Sequence, residues 1–305
     1  MKRKCRFLSL VLTLALMASV TIGAGPSRAA YDYKFAQTKA SNTSVSFSWS
    51  SDHAVDIYVN LKLEKKNVTA KSYTLTQAGM TAGRSYSVVL VKTGSPIGDG
   101  STYTVRTKPA AITMKQTTYY PAGNVSVLNW APVVTMCDGY QVRLDAASGN
   151  DGGSGYATDG KAESFKVTLK KNLFYKVRTR GYLQLKHKHA FGAWSAMRYV
   201  ALMPDTKFEK APGASIKVSW TKVAGASKYV ISVGKKDDGS DAVVSATVSS
   251  KETTATLTSM GSTPIEKNGS SYYVFIKPYI KVSGKEHASD VQAASSSITF
   301  FSFDS

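Results

Sequence analysis

Cysteine is nearly absent from this chain: Cys5 and Cys137 are the only two in 305 residues. Cys5 lies in the opening basic segment, so after removal of that segment no disulfide can form within the chain, and its cores must stand on apolar burial alone. Long apolar runs are equally scarce. The single one, FLSLVLTLALMASV, follows Lys2, Arg3, Lys4 and Arg6 and precedes Gly23, Gly25, Pro26 and the small-residue stretch Ser27-Arg28-Ala29. That is the order of a secretory signal, so residues 1–29 are expected to be cleaved near Ala29, leaving no transmembrane segment. A lipoprotein cysteine would come after the apolar run rather than before it. The C-terminal ITFFSFDS carries no sortase-type motif, so retention at a cell surface is expected to be noncovalent.

Acidic residues are few, with 20 Asp and Glu against 39 Lys and Arg for a formal charge of +19. Five of the cations belong to the leader, which leaves +14 on the remainder, divided as +5, +7 and +2 over residues 30–109, 110–204 and 205–305. An excess of this kind favours anionic surroundings, which outside a cell means wall polymers, acidic glycans, lipid headgroups or released nucleic acid. No specific nucleic-acid motif is present.

Helical periodicity is missing after the leader. Short alternating runs rich in Val, Ile, Thr, Tyr and Phe are separated by Gly, Ser, Asp and Asn clusters, a strand pattern throughout. Trp49, Trp130 and Trp220 stand 81 and 90 residues apart, and each opens similar text: VSFSWSSDHAVDIYVNL, VSVLNWAPVVTMCDGYQVRL and VSWTKVAGASKYVISV. Three repeated units follow from this spacing. In the first and third, Val45 and Phe47 share a strand face with Trp49, and Ile216 and Val218 share one with Trp220. The second places Leu128 and then Ser126 behind Trp130, and a bulge is expected there to return Val125 or Val127 to the core. A second strand follows each tryptophan, with inward positions Ile57, Val59 and Leu61; Tyr140, Val142 and Leu144; and Tyr229, Ile231 and Val233. A third opens at Tyr86, Tyr175 and Tyr272. Met80 and Leu169 precede the first two of these by six residues, the spacing of a tyrosine corner.

The segments WTKVAGASKY (220–229), GMTAGRSYSV (79–88), YKVRTRGY (175–182), FGAWS (191–195) and VRTKP (105–109) resemble tandem fibronectin type III domains of secreted bacterial proteins. The resemblance implies an all-β chain of three Greek-key sandwiches: 30–109, the most divergent, then 110–204 and 205–305. Trp49, Trp130, Trp220, Tyr86, Tyr175 and Tyr272 are its core residues. Proline in the joints Thr107–Ala111 and Leu202–Asp205 implies a semi-rigid string of units.

Histidine is also sparse, four in all, and no nucleophile, base and orienter are spaced for catalysis. His187 and His189 alternate but lack a third metal ligand, so they are read as a solvated hairpin tip. His53 and His287 have no evident partner. Cys137 lies three residues before Tyr140, as Ala226 lies before Tyr229, and is read as a small, partly buried filler. The acidic glycine-rich segments 147–160 and 235–241 lack the ligand alternation of a calcium loop and are read as hairpin or sheet-switching loops. Asn42, Asn67, Asn124 and Asn268 begin glycosylation sequons that carry no weight in a bacterial protein. No cofactor or metal is expected.

The one chemical constellation is basic. In YKVRTRGY, Lys176, Arg178 and Arg180 face outward, the neighbouring strand adds Arg143, Lys186 and Lys188 sit at the loop tip, and Tyr182 and Trp194 lie near the stripe's end. Cations there can hold phosphate or carboxylate and the rings can stack on a sugar or base; a merely solvated strand face is the competing reading. Tyr273 and Phe275 in the third unit, and Val89 and Val91 in the first, are expected to point outward, either beneath a local loop or as a contact surface. The expected role is a secreted, monomeric, non-catalytic binding or spacer protein contacting an anionic wall polymer, a glycan or an extracellular protein. An exported carbohydrate-active enzyme with its site in the divergent first unit, and a purely structural spacer, are the alternatives.

If Trp220 is the plug between two sheets, Trp220→Ala costs roughly 3–5 kcal/mol. A thermal melt within a few degrees of the parent would show that the ring is not in the core.

Overall fold

The computed structural model describes residues 31–120, 125–131, 137–147, 152–267, 269–293 and 299–302. The leader, Asn124, Asn268 and residues 148–151 of the first glycine-rich segment lie outside the described residues. No helix among the described residues is long and apolar enough to cross a membrane. Apart from one 3-10 turn at Ile97–Asp99, the regular elements are strands.

The first unit holds β1 (Ala36–Ala40), β2 (Val45–Ser48), β3 (Val55–Val59), β4 (Lys62–Val68), β5 (Ser72–Leu75), β6 (Ser85–Lys92) and β7 (Ser101–Arg106). They form two antiparallel sheets, ordered β1-β2-β5 and β4-β3-β6-β7. Alternation along each strand sends Val45, Phe47 and Leu75 of one sheet against Ile57, Val59, Val88 and Leu90 of the other, closing a sandwich around Trp49. Leu61 departs from its expected inward place and is 73% exposed. Asn60 and Leu61 form the two-residue turn between β3 and β4, both at positive φ, so the strand ends at Val59 before the alternation reaches Leu61. The same tight turn shortens this unit's mid-section. Val89 and Val91 alternate with the core residues Val88 and Leu90 and so lie on the outer face as expected, yet both are buried; Gly100, next to the 3-10 turn, lies against Val89 and supplies local cover.

The second unit contributes β8 (Thr117–Tyr120), β9 (Val125–Asn129), β10 (Gly139–Ala146), β11 (Gly152–Ala157), β12 (Ser164–Val167), β13 (Tyr175–Gln184), β14 (His189–Phe191) and β15 (Arg198–Val200). Its sheets run β12-β9-β8 and β11-β10-β13-β14, with β15 also on β13. Trp130 is fully buried between them and its indole N–H donates to the Ala162 carbonyl at 2.7 Å. The expected bulge does not occur. β9 pairs in unbroken register on both sides, so Ser126 itself faces inward, fully buried. Cys137 fills the core beside Tyr140 with its thiol toward the Gly160 carbonyl at 3.7 Å, and burial raises its pKa, keeping the thiol protonated.

The third unit comprises β16 (Thr206–Ala211), β17 (Ser215–Trp220), β18 (Lys228–Gly234), β19 (Val243–Ser249), β20 (Thr254–Leu257), β21 (Ser259–Met260), β22 (Thr263–Pro264), β23 (Ser271–Val282), β24 (Lys285–Ala288), β25 (Val291–Ala293) and β26 (Thr299–Ser302). Its sheets run β16-β17-β20 and β19-β18-β23-β24, with β26 also on β23. The described residues therefore form an all-β chain of three Greek-key sandwiches with one common strand order. Tyrosine hydroxyls bond back to the chain at Tyr175, which accepts from Lys170 N–H at 3.1 Å, at Tyr272, which accepts from Glu266 N–H at 3.0 Å, and at Tyr229, which accepts from Val223 N–H at 2.8 Å. Tyr86 packs half-buried on the first core without such a bond. In segment 235–241, Asp241 accepts from the Lys235 and Lys236 N–H groups, so its carboxylate caps a hairpin turn.

The two joints differ. Between the second and third units the cores merge: Phe174 and Ala201, from the second unit's stretch of chain, are buried in the third unit's apolar cluster. Ser289 Oγ donates to the Ala201 carbonyl at 2.6 Å, Asp290 N–H donates to the Tyr199 carbonyl, and β25 lies parallel to β8, extending the second unit's sheet. His287, which had no partner in sequence, stacks on Tyr199 with ring centroids 4.3 Å apart. This is a fused pair rather than two beads on a string. Phe174→Ala is expected to destabilise the third unit by roughly 3–5 kcal/mol, and to split the single calorimetric transition of a 110–305 fragment into two. Retention of one transition at an unchanged temperature would show that the shared core does not couple them.

Candidate functional site

The second unit's outer sheet face is positioned by the pairing of β10 with β13, in register from Gly139 opposite Tyr182 to Ala146 opposite Tyr175. Tyr175, Val177 and Thr179 are buried, so the pleat turns Lys176, Arg178, Arg180 and Tyr182 to the other face. Opposite them stand Asp145, Arg143, Gln141 and Gly139.

After β14 the FGAWS segment runs back along β13. Gly192 N–H donates to the Gly181 carbonyl, Ser195 N–H to the Thr179 carbonyl, and Ser195 Oγ accepts from Thr179 N–H at 3.0 Å. These bonds hold Trp194 over the arginines. The Arg178 guanidinium lies 4.6 Å from the indole centroid and that of Arg180 4.2 Å, while Arg180 also lies 3.9 Å from the Phe191 ring. Phe191, Arg180, Trp194 and Arg178 thus alternate ring and cation, each contact favoured by the ring's quadrupole. Arg180 Nε donates to Gln141 Oε1 at 2.8 Å, and Gln141 Nε2 donates to the Tyr156 hydroxyl at 2.9 Å. Burial lowers the Arg180 pKa, with the charges of Arg178 and Arg143 adding to the effect, yet a guanidinium stays charged at any physiological pH.

The expected residues therefore divide by role. Arg178 and Arg180 have their faces against rings and brace the sheet. Arg143 is exposed and paired with Asp145 at 2.9 Å, and Lys176 is half-buried across from the same carboxylate. Lys186 and Lys188 are exposed at the hairpin tip with His187. Tyr182 is a correction: it is 5% exposed, with His189 stacked on it at 4.4 Å, so its ring offers no free platform. His189 accordingly leaves the solvated tip to which it was assigned. Tyr273 and Phe275 are half-buried, and Gly239 of the β18–β19 turn lies against the Phe275 ring, so neither is an open outward surface.

Two basic residues escaped the sequence reading because they belong to another unit. Lys39 from β1 and Lys108 from the first joint meet Arg180, Lys188 and His189 around a cleft of about 530 Å³ between the first and second units. Nothing in local sequence marks them; only the docking of one unit on the other brings them there.

In the first unit, His53 does have partners: Nδ1 lies 2.6 Å from Asp52 Oδ1 and Nε2 3.3 Å from the Tyr33 hydroxyl. The order carboxylate, imidazole, hydroxyl is formally that of a relay. However, burial raises the Tyr33 pKa, with Tyr103, Tyr31 and Asp52 adding to it, so the phenol holds its proton, and the ring is 2% exposed and out of reach of a substrate. Among the described residues no group of three or more His, Cys, Asp and Glu side chains is arranged to hold a metal ion.

No family model matches the chain, and no curated protein matches it. Among solved structures, the chicken CNTN1 FN1-FN3 domains are 14% identical over 88% of this chain and 96% of that one, with a TM-score of 0.29. A two fibronectin type III domain segment from chicken tenascin is 16% identical over 55% of this chain and 97% of that one, also at 0.29. Similarity at that level carries no functional argument, so the site rests on this chain's own residues.

Trp194→Ala should cost about 1–2 kcal/mol through the two lost cation–ring contacts, and Arg180→Lys should lose part of the same because an ammonium neither stacks nor forks. An unchanged denaturation midpoint for both would show that the ladder does not brace the sheet.

Proposed function

We propose that this is a secreted, surface-associated, non-catalytic binding protein that engages an anionic polymer through the outer face of its second unit. The observation that supports it is a broad sheet face bearing Arg143, Lys176, Arg178 and Arg180 with Asp145 as the carboxylate set among them. Four cations on adjacent strands repel one another, and a polyanion laid along the face relieves that repulsion while releasing its own counterions. The braced arginines contribute preorganisation: two guanidiniums fixed by rings lose little conformational freedom on binding, and their edges remain the hydrogen-bonding side. Arg143 and Lys176 are the adaptable contacts at the rim. The basic, apolar start of the chain supports export, and the unit's +7 charge agrees with a wall polymer or acidic glycan as partner.

The test is co-sedimentation of the 31–305 chain with isolated cell walls and with an acidic polysaccharide across a salt series. Wild type should bind at low salt and be released as salt rises. Arg143→Glu with Lys176→Glu, which leaves the ladder intact, should abolish binding without shifting the melting temperature. Binding that ignores both salt and the double variant would overturn the proposal.

A further inference from the structure

The cleft at the first joint is a second basic site, built differently from the sheet face. Its walls come from three separate stretches of chain: Lys39 and Ala40 at the end of β1, Lys108 in the joint, and the β13–β14 hairpin with Leu185, Lys188, His189 and Ala190, closed at the back by Arg180, Phe191 and Gly192. The hairpin is held there by apolar contact, since Leu183, Leu185 and Ala190 are buried and Ala40 of the first unit packs on them. Arg106 and Asp138 join the two units by a pair of short contacts, 2.8 and 2.9 Å, and Asp138 also accepts from Gln184 N–H. Glycine is required at 192, where a Cβ would lie 2.5 Å from the Pro109 carbonyl oxygen. The joint is therefore a docked interface, and the cleft is a fixed feature of it.

Its chemistry is one-sided. Three lysines, an arginine and a histidine line about 530 Å³, a volume within the range of small-ligand sites, and no Asp or Glu among the described residues lines it. Among the described residues, Lys39, Lys108 and Lys188 have no ion-pair partner, whereas the nearby Asp138 is committed to Arg106. Such a set of uncompensated like charges opposes the docking that assembles it.

We infer that the cleft binds a phosphate group, with Lys39 and Lys108 on one wall and Lys188 and Arg180 on the other. A carboxylate presents two oxygens in one plane and is satisfied by a single guanidinium fork; donors arriving from opposite walls suit a tetrahedral oxyanion whose oxygens point in several directions and which carries up to two charges. The bound group neutralises the cleft and ties the first unit to the second, so phosphate binding and stiffness of the joint are linked. The site shares Arg180 with the sheet face but stands on its own lysines and does not depend on the polymer reading.

The experiment is titration calorimetry of the 31–305 chain with inorganic phosphate at low ionic strength, repeated for Lys39→Ala with Lys108→Ala and for Arg143→Ala with Lys176→Ala. Saturable binding is expected, weakened about tenfold or more by the first pair and unchanged by the second. Two polymers, tested on the Arg143→Ala, Lys176→Ala variant so that the sheet face does not hold them, separate the sources: a polyglycerol phosphate should compete with inorganic phosphate and a polygalacturonate should not. No saturable binding, equal loss in both pairs, or equal competition by the carboxylate polymer would each overturn the inference. Failure here with retained, face-dependent polymer co-sedimentation leaves the proposed function standing; the reverse outcome leaves only the cleft.

Discussion

The register between β10 and β13 is the constraint on which the second unit and both of its joints depend. Because Tyr140 lies opposite Gly181 and Leu144 opposite Val177, the pleat commits one side of both strands to the core and the other to solvent, and a slip of one residue would exchange them. That single alternation puts Arg143, Arg178 and Arg180 on one face. It also fixes how far β13 extends beyond the sandwich, carrying Leu183 toward the first unit at one end while Phe174, just before its start, enters the core of the third.

The same strand thus serves two joints of opposite character. Toward the third unit a phenyl ring is buried in the neighbour's core, a strand of the neighbour is added to the sheet edge, and the ion pairs Lys171–Asp205 and Arg198–Asp290 cross the joint. Toward the first unit a small apolar cluster and one ion pair hold the surfaces together beside a cleft lined by cations, so the joint is weakened by its own charge and strengthened by whatever anion occupies it.

Much of the fold was legible because two-residue alternation is a direct readout of a sheet with one buried face. Trp49, Trp130 and Trp220, with Tyr140, Tyr229, Val142 and Ile231, lie where that periodicity puts them. The misreadings share a cause. Leu61 continues the pattern on paper, but a turn with positive φ reverses the chain before it is reached; Ser126 breaks the pattern on paper, but the ladder on both sides of β9 holds it inward without a bulge. Val89 and Val91 point outward as the alternation has it, and Gly100 of the loop that follows their own strand covers Val89. Backbone hydrogen bonding overrode side-chain polarity in both misreadings.

The basic stripe was visible as a stripe, since Lys176, Arg178 and Arg180 need only the strand period to share a face. Sequence alone determined the class, the number of units, the core aromatics and the sign of the exposed charge, all of which follow from local periodicity and composition. Tertiary structure decided which of those charges are braced and which are free, because Trp194 reaches Arg178 and Arg180 only after the chain returns along β13. It alone decided that Tyr182 is sealed beneath His189, and that Lys39 and Lys108 face Lys188 across a cleft: contacts between segments distant in the chain leave no periodic trace in either.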